Sequence, residues 1–171
     1  YKHQWVVIDT INFLHENGYK VKLTLVGPHG SGSKKLEKKM QSINPEIVEY
    51  LGTASYDTIE KSYVNADIGI FASSCETFGM ILTEAMSCGL PVAASNMSAI
   101  PDVLSDSGLY FNPENSDEIA DAIKKLILSS DLRRELANKG YEHVKKFNWI
   151  NSSNETFCFI EEILMNYKKN I

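Results

Sequence analysis

The sequence predicts an α/β protein built as a doubly wound parallel sheet with helices on both faces. Short apolar runs such as DIGIFA (67–72) have the length and composition of buried parallel strands. Segments with a helical spacing of apolar residues alternate with these runs, and the connections between them are short. Such alternation is typical of a parallel sheet covered by helices. The chain has 171 residues, an ordinary size for one domain.

The first part of the chain is predicted to form two helix–strand pairs. Apolar residues from Trp5 to Leu14 recur at near-helical spacing, and Gly18 follows as a helix stop. Three segments come next, predicted as a strand, an amphipathic helix and a strand: KVKLTLVG (20–27), SKKLEKKMQSI (33–43) and EIVEYLG (46–52). A doubly wound sheet normally opens with a strand, so we expect one to precede the first helix.

The middle of the chain repeats this order. YDTIEKSYVNA (56–66) has helical spacing and follows Ser55, which we predict to be its N-cap. The DIGIFA strand follows, then a helix within GMILTEAMSC (79–88) and a strand within PVAAS (91–95).

From Asn115 onward the pattern is all-helical. We predict three successive helices at 115–129, 131–147 and 151–169. Asn115 with Glu118, and Ser152 with Glu155, have the spacing of capping boxes. No linker divides the chain, so residues 1–171 are expected to form one domain, with 151–171 as a final helix.

Composition excludes several classes of function. The net charge of −5 argues against general nucleic-acid binding. The one basic patch, Lys34 to Lys39, is interpreted as a solvated helix face. The three cysteines, Cys75, Cys88 and Cys158, lack the spacing of metal ligands, so we predict no metal site. No apolar run approaches the roughly 20 residues needed to cross a bilayer. The composition is that of a soluble globular protein, for which we expect a cytoplasmic location.

Ligands of doubly wound sheets bind beyond the carboxyl ends of the strands, and the first such loop is GPHGSGSKK (27–35). Compared with a P-loop it is a near miss, because Ser33 stands where the phosphate-binding lysine belongs and Lys34 comes one residue late. Its glycines also lack the spacing of a dinucleotide fingerprint. We interpret it as a flexible glycine loop near a ligand.

The second loop leads into ETFGMILTEAMSCGLPV (76–92), which carries two glutamates in an apolar run. The helix that begins near Gly79 offers unpaired N–H groups and a partial positive charge, which suit a phosphate. Glu76 lies just before this anion site, and Glu84 lies roughly 7 Å farther along the helix at its 1.5 Å rise per residue. Phosphates between two carboxylates suit a nucleotide-sugar. The alternative is that each glutamate is an ordinary N-terminal or solvated charge.

These residues resemble the signature of the retaining group 1 glycosyltransferases (family 4) of the GT-B architecture. ETFGMILTE followed by AMSCGLPV is similar to that family's Glu, seven residues, Glu, Ala-rich turn and Gly-x-Pro-Val. VNADIGIFASSCETFG and LYFNPENSDEIADAIKKLI also resemble family segments, and the similarity covers nearly the whole chain. The resemblance implies the Rossmann-like, C-terminal, donor-binding half of a GT-B fold.

The resemblance also implies roles near the two glutamates. Glu84 would bind the ribose hydroxyls of a nucleotide-sugar, and Glu76 would contact the transferred sugar at the reaction centre. Glu76 would support an oxocarbenium-like transition state rather than act as a nucleophile, because a strongly hydrogen-bonded carboxylate is a poor nucleophile. Lys2 would neutralise the diphosphate leaving group, so no metal and no other cofactor is expected.

Further donor-binding positions follow from the same resemblance. The backbone amides at Phe78, Gly79, Met80 and Ile81 would hold phosphate and sugar. Backbone groups near Thr53 and Ala54 would lie by the base. Ser73 matches a serine of the family, and Gly27 ends a strand similar to the family's Val-Gly strand. These complete the predicted site residues.

Several departures from the family pattern narrow these expectations. The family's arginine before Lys2 would precede Tyr1, and Ser98 with Ala99 replaces the Gly-Gly of many members. We expect the N-terminal Rossmann-like half, which would hold the acceptor site and any contact with the inner face of a membrane, to lie outside this sequence. We therefore expect this piece alone to bind donor weakly and to transfer nothing.

Two features leave alternatives open. The apolar stripe of the last helix could pack on its own domain or cross to the partner half, and it consists of Phe157, Phe159, Ile160, Ile163 and Leu164. The function could also be that of a non-catalytic nucleotide-binding module or a GT-B-type nucleotide-sugar epimerase. A Rossmann-type oxidoreductase is disfavoured because the first glycine loop lacks the dinucleotide fingerprint. For the full-length protein, a glycosyltransferase of polysaccharide, lipopolysaccharide or glycolipid synthesis remains the prediction.

Overall fold

A computed structural model describes residues 1–28, 34–41 and 44–169 of the chain. Its five strands in this described part are β1 Leu23–Leu25, β2 Val48–Tyr50, β3 Gly69–Phe71, β4 Val92–Ser95 and β5 Gly108–Phe111. Its helices there are α1 Gln4–Glu16, α2 Lys34–Gln41, α3 Tyr56–Val64, α4 Met80–Ser87, α5 Ile100–Leu104, α6 Ser116–Leu128, α7 Ser130–Val144 and α8 Trp149–Lys169.

All pairs of neighbouring strands are parallel. β1 pairs with β2, placing Leu23 opposite Val48. β3, β4 and β5 form a second sheet in sequence order, with Gly69 opposite Val92 in its first pair. The predicted class, α/β with parallel strands, is confirmed.

The residues of β4 show how helices cover both faces. Side chains of a strand point alternately to its two sides, and here Val92 and Ala94 join one buried cluster while Ala93 joins the other. α4 and α5 supply most of the first cluster, and α1 and α6 supply most of the second. The second cluster also includes Leu23 and Val48, so β1 and β2 share the core of the other sheet.

Each helix and strand predicted from the sequence forms in the described residues, but α5 and β5 were missed. α5 has five residues and carries a proline in its first turn. That length is too short to show a helical period, while proline is well tolerated at a helix start. β5 has four residues, and its apolar side chains merge in the sequence with the loop that leads to α6.

None of the predicted caps forms in full. At Asn115 the first half of the predicted capping box forms, but Glu118 accepts from the backbone N–H of Asn112 instead of that of Asn115. The Asn115 side chain accepts hydrogen bonds from the N–H groups of Asp117 and Glu118 at the start of α6. Ser55 does precede α3, but its hydroxyl lies 2.8 Å from that of Thr58 and caps no N–H group. The Ser152 cap is wrong, because α8 begins three residues before Ser152. The Asn148 side chain instead accepts from the N–H of Asn151.

The apolar stripe of α8 is exposed in the described part of the chain, so the interpretation that it packs on its own domain is wrong. Phe157 is 70% and Phe159 63% exposed, and Ile160, the most covered of the stripe, is still 45% exposed. Among the described residues, no helix is both long and apolar enough to cross a membrane.

Candidate functional site

The loop between β3 and α4 turns sharply at Gly79, where φ is 83°. A residue with a Cβ atom is strained in this left-handed region, which explains a glycine at the corner. α4 begins at Met80, and the N–H of Leu82 already donates to the carbonyl of Gly79 at 2.8 Å. Met80 and Ile81 follow in the first turn, where a helix leaves its N–H groups without acceptors inside the helix. These groups lie at the helix end where the sequence predicts that an anion binds.

The side chains around this helix end are accessible. Phe78, Met80 and Ile81 are 37%, 56% and 42% exposed, respectively. The ring of Phe78 packs edge-to-face on Phe147, three residues after the end of α7, with centroids 5.3 Å apart. Gly79 itself is buried, whereas the residues on either side of it, Phe78 and Met80, are exposed.

Glu76 forms an ion pair with Lys2. Lys2 Nζ lies 2.6 Å from Glu76 Oε1, and the two side chains are 33% and 17% exposed. The first residues of the chain reach this place because they lie against the loop after β3. The N–H of Ser74 donates to the carbonyl of Tyr1 at 2.8 Å, and the His3 ring lies 2.9 Å from the Ser74 hydroxyl. The structure thus joins two predicted site residues that are far apart in sequence.

The hydroxyl groups of two serines bond to the backbone of the loop that carries Glu76. Ser73 is buried, and its hydroxyl donates to the carbonyl of Cys75 at 3.3 Å. Ser98, in the loop after β4, bonds to both backbone groups of Glu76: it accepts from the N–H at 3.1 Å and donates to the carbonyl at 2.7 Å. Ser73 therefore lies beneath the site, while Ser98 lies beside it.

Glu84 is half-buried on α4 and is held by a tyrosine of α3. The Tyr63 hydroxyl donates to Glu84 Oε2 at 2.8 Å. Burial, and then the hydrogen bond to Glu84, raise the pKa of Tyr63 far above its ordinary value. The phenol consequently remains protonated and keeps donating at every pH at which the protein would be studied. The hydrogen bond fixes one oxygen of Glu84, the carboxylate that is predicted to bind the ribose hydroxyls.

The remaining predicted positions form a group of their own at the ends of β1 and β2. The N–H of Gly27 donates to the carbonyl of Gly52 at 2.8 Å, and the Tyr50 hydroxyl donates to the carbonyl of Gly27 at 2.5 Å. Thr53, exposed, and Ala54, half-buried, follow directly. Much of the predicted glycine loop after Gly27 lies outside the described residues.

Two residues that contact the glutamates, Tyr63 and Ser98, were not predicted as site residues. Tyr63 is 21 residues from Glu84, and Ser98 is 22 residues from Glu76. Both contacts depend on the packing of α3 and of the β4–α5 loop against the corner after β3. Within the described ranges, no cluster of His, Cys, Asp and Glu side chains has the arrangement of a metal site.

Known proteins resemble this chain in sequence and in fold. O-antigen chain mannosyltransferase B of Escherichia coli is 36% identical over 110 residues, 64% of this chain and 29% of that protein. HepE of Anabaena, solved in complex with UDP-glucose, has 26% identity and a TM-score of 0.77, over 92% of this chain and 45% of that one. The C-terminal domain of the group 1 glycosyl transferase LpcC of Francisella tularensis has 25% identity and a TM-score of 0.74, over 85% of this chain and 78% of that one.

The fold defines a class of parallel α/β domain with helices on both faces, and the family follows from the sequence match. Residues 1–143 match the family described as "Glycosyl transferases group 1", and the chain belongs to that family. The recognition made from ETFGMILTE is therefore confirmed, including the C-terminal domain of the GT-B architecture. The chain spans 29% of the mannosyltransferase and 45% of HepE, so it corresponds to less than half of either protein.

Proposed function

We propose that this chain is the donor-binding domain of a retaining glycosyltransferase, which moves a sugar from a nucleotide-sugar to an acceptor in polysaccharide, lipopolysaccharide or glycolipid synthesis. The observation that carries the proposal is that Glu76 lies in the loop before α4 and Glu84 lies on α4, so that the first turn of the helix falls between them along the chain, in a chain of this family. The acceptor site belongs to an N-terminal Rossmann-like domain of the full-length protein. Without it, the isolated domain binds donor weakly and transfers nothing.

The diphosphate of the donor lies at the start of α4. The N–H groups of Met80 and Ile81 and the positive end of the helix dipole attract its charge. Lys2 stands beside this end through its pair with Glu76. As the bond to the sugar breaks, negative charge grows on the departing diphosphate, and Lys2 stabilises it. This cation performs the role for which other enzymes use a metal, so donor binding requires none.

Glu84 binds the ribose hydroxyls of the donor. Tyr63 occupies one of its oxygens, and a carboxylate oxygen has further lone pairs to offer. The base lies toward Gly27, Thr53 and Ala54, at the ends of β1 and β2. This assignment puts the nucleoside and the sugar on opposite sides of the diphosphate.

Glu76 acts on the sugar side. Its carboxylate accepts hydrogen bonds from hydroxyls of the transferred sugar and stabilises the positive charge of an oxocarbenium-like transition state. The close pair with Lys2 occupies Oε1. A carboxylate held in this way is a weak nucleophile, which favours electrostatic support over a covalent intermediate.

A panel of nucleotide-sugars tests the proposal. Full-length protein is incubated with UDP-, GDP- and ADP-sugars, with and without a lipid extract as acceptor, and nucleoside diphosphate release is measured. We expect release from at least one donor and strong loss of it in Glu76→Ala. The matched control is Glu142→Ala, which removes an exposed carboxylate paired with Lys145 on α7 and should leave the rate unchanged. Release from no donor, or equal rates in both variants, contradicts the proposal.

A further inference from the structure

Ser98 adopts a backbone conformation that serine normally avoids. Its φ is 60°, in the left-handed region, where glycine is the default residue because other side chains are disfavoured there. Such a conformation persists when surrounding contacts determine it, and it occurs preferentially at functional sites. The contacts of Ser98 therefore indicate why a residue with a side chain occupies this position.

The side chain of Ser98 makes two hydrogen bonds to a single residue, Glu76. Its hydroxyl accepts from the backbone N–H at 3.1 Å and donates to the backbone carbonyl at 2.7 Å. Both backbone polar groups of Glu76 are thus satisfied by one hydroxyl. These bonds tie the β4–α5 loop to the loop between β3 and α4, which has no regular backbone pairing of its own at this residue.

We propose that Ser98 is a positioning residue that fixes the backbone of Glu76, so that the carboxylate faces the donor before the donor binds. The inference rests on the proposed function of Glu76. Lys2 pairs with the carboxylate of Glu76, and Ser98 bonds to the backbone of the same residue. With both ends fixed, the carboxylate does not have to be ordered during the reaction, and preorganised groups of this kind stabilise a transition state most effectively.

The two hydrogen bonds of Ser98 lie at the surface, so their effect on the position of Glu76 can be distinguished from an effect on the stability of the domain. Ser98 is exposed, and it belongs to neither buried cluster. Hydrogen bonds at exposed positions contribute little to folding because water replaces them in the unfolded chain. Their loss should therefore alter the geometry of Glu76 more than it alters the stability of the domain.

Two substitutions at Ser98 distinguish the hydroxyl from the backbone conformation. Ser98→Ala removes the hydroxyl and keeps the disfavoured φ, whereas Ser98→Gly removes the hydroxyl and relieves that φ. Ser105→Gly is the matched control, because Ser105 also has a positive φ, of 52°, but lies after α5, away from Glu76. All variants are made in the full-length protein and assayed with the fastest donor of the UDP-, GDP- and ADP-sugar panel.

We expect both Ser98 variants to lower kcat by about tenfold or more, since small displacements of a reacting group have effects of this size. The KM for the donor should change less than twofold, and the Tm of Ser98→Gly should be no lower than that of the parent protein. Ser105→Gly should keep the parent kcat. A stable Ser98→Gly protein with the parent kcat would overturn the inference alone. A parent protein that transfers sugar from no donor would instead overturn the proposed function.

Discussion

Replacing Tyr63 with phenylalanine removes one hydroxyl group and keeps the ring that packs beside α4. In the folded protein this hydroxyl donates to Glu84 Oε2 at 2.8 Å. Without it, the Glu84 side chain regains rotamers that the hydrogen bond excluded. If Glu84 binds the ribose, the donor must then order this side chain itself, and its affinity falls.

The size of the effect follows from that ordering. Immobilising one flexible side chain on binding costs about 0.5–1.5 kcal/mol, which corresponds to a roughly two- to twelvefold increase in the Kd of the nucleotide. The free energy of unfolding should also fall by about 1 kcal/mol, less than the about 1.5–3 kcal/mol of a hydrogen bond to a charged group, because water can replace the phenol at half-buried Glu84.

Calorimetric titration of the full-length protein with UDP, GDP and ADP measures the Kd for whichever diphosphate binds. The matched control is Tyr110→Phe, which likewise removes a phenol hydroxyl, one that donates to the carbonyl of Ser105 at 2.5 Å. Its loss should lower stability and leave the Kd unchanged.

Two results would refute this reasoning. A Kd that is unchanged in Tyr63→Phe but greatly increased in Glu84→Ala would show that the hydrogen bond does not prepare Glu84 for the ligand. Equal weakening by Tyr63→Phe and Tyr110→Phe would show a general effect of lost stability rather than a local one.

Three further predictions concern the glutamates and the glycines of the fold. Glu84→Ala should raise the donor Kd and KM by tenfold or more, as expected when a hydrogen-bonded charged partner of about 1.5–3 kcal/mol is lost, while unchanged donor titration would exclude its role. Glu76→Ala should lower kcat by about 100-fold, in the range for loss of electrostatic support, with the donor Kd little changed. A Cβ atom at Gly108 would lie 2.6 Å from the carbonyl oxygen of Val92, whereas one at Gly140 meets only a flexible methionine side chain, at 3.0 Å. Gly108→Ala should therefore cost about 1–3 kcal/mol of stability and Gly140→Ala less, and equal denaturation midpoints would contradict this difference.

The layered fold could be predicted because its signal is local. The strand at 67–72 and the helix after Gly79 are visible as a continuous apolar run followed by helical spacing, and both form. α5 and β5 could not be predicted in this way, because five and four residues contain too little of a period to be recognised. The Ser152 cap failed for a related reason: a capping box is a spacing that also occurs inside helices, and Asn148 takes the role three residues before the predicted helix start.

The candidate site could be predicted only as far as its signature residues. Glu76, Glu84 and Gly79 lie within one short motif, so the sequence alone groups them. Tyr63 contacts Glu84, 21 residues away in the sequence, and Ser98 contacts Glu76, 22 residues away. No periodicity or spacing reports such contacts, because they depend on how α3 and the β4–α5 loop pack against the corner after β3.

The central claim is that this domain binds a nucleoside diphosphate at the start of α4, between the two glutamates. Titration of the full-length protein with UDP, GDP, ADP and NAD(H) by calorimetry tests it most directly. We predict saturable binding of at least one nucleoside diphosphate, weakened by Glu84→Ala and unaffected by Tyr110→Phe. Tight binding of NAD(H) with no response to UDP, GDP or ADP would contradict the account.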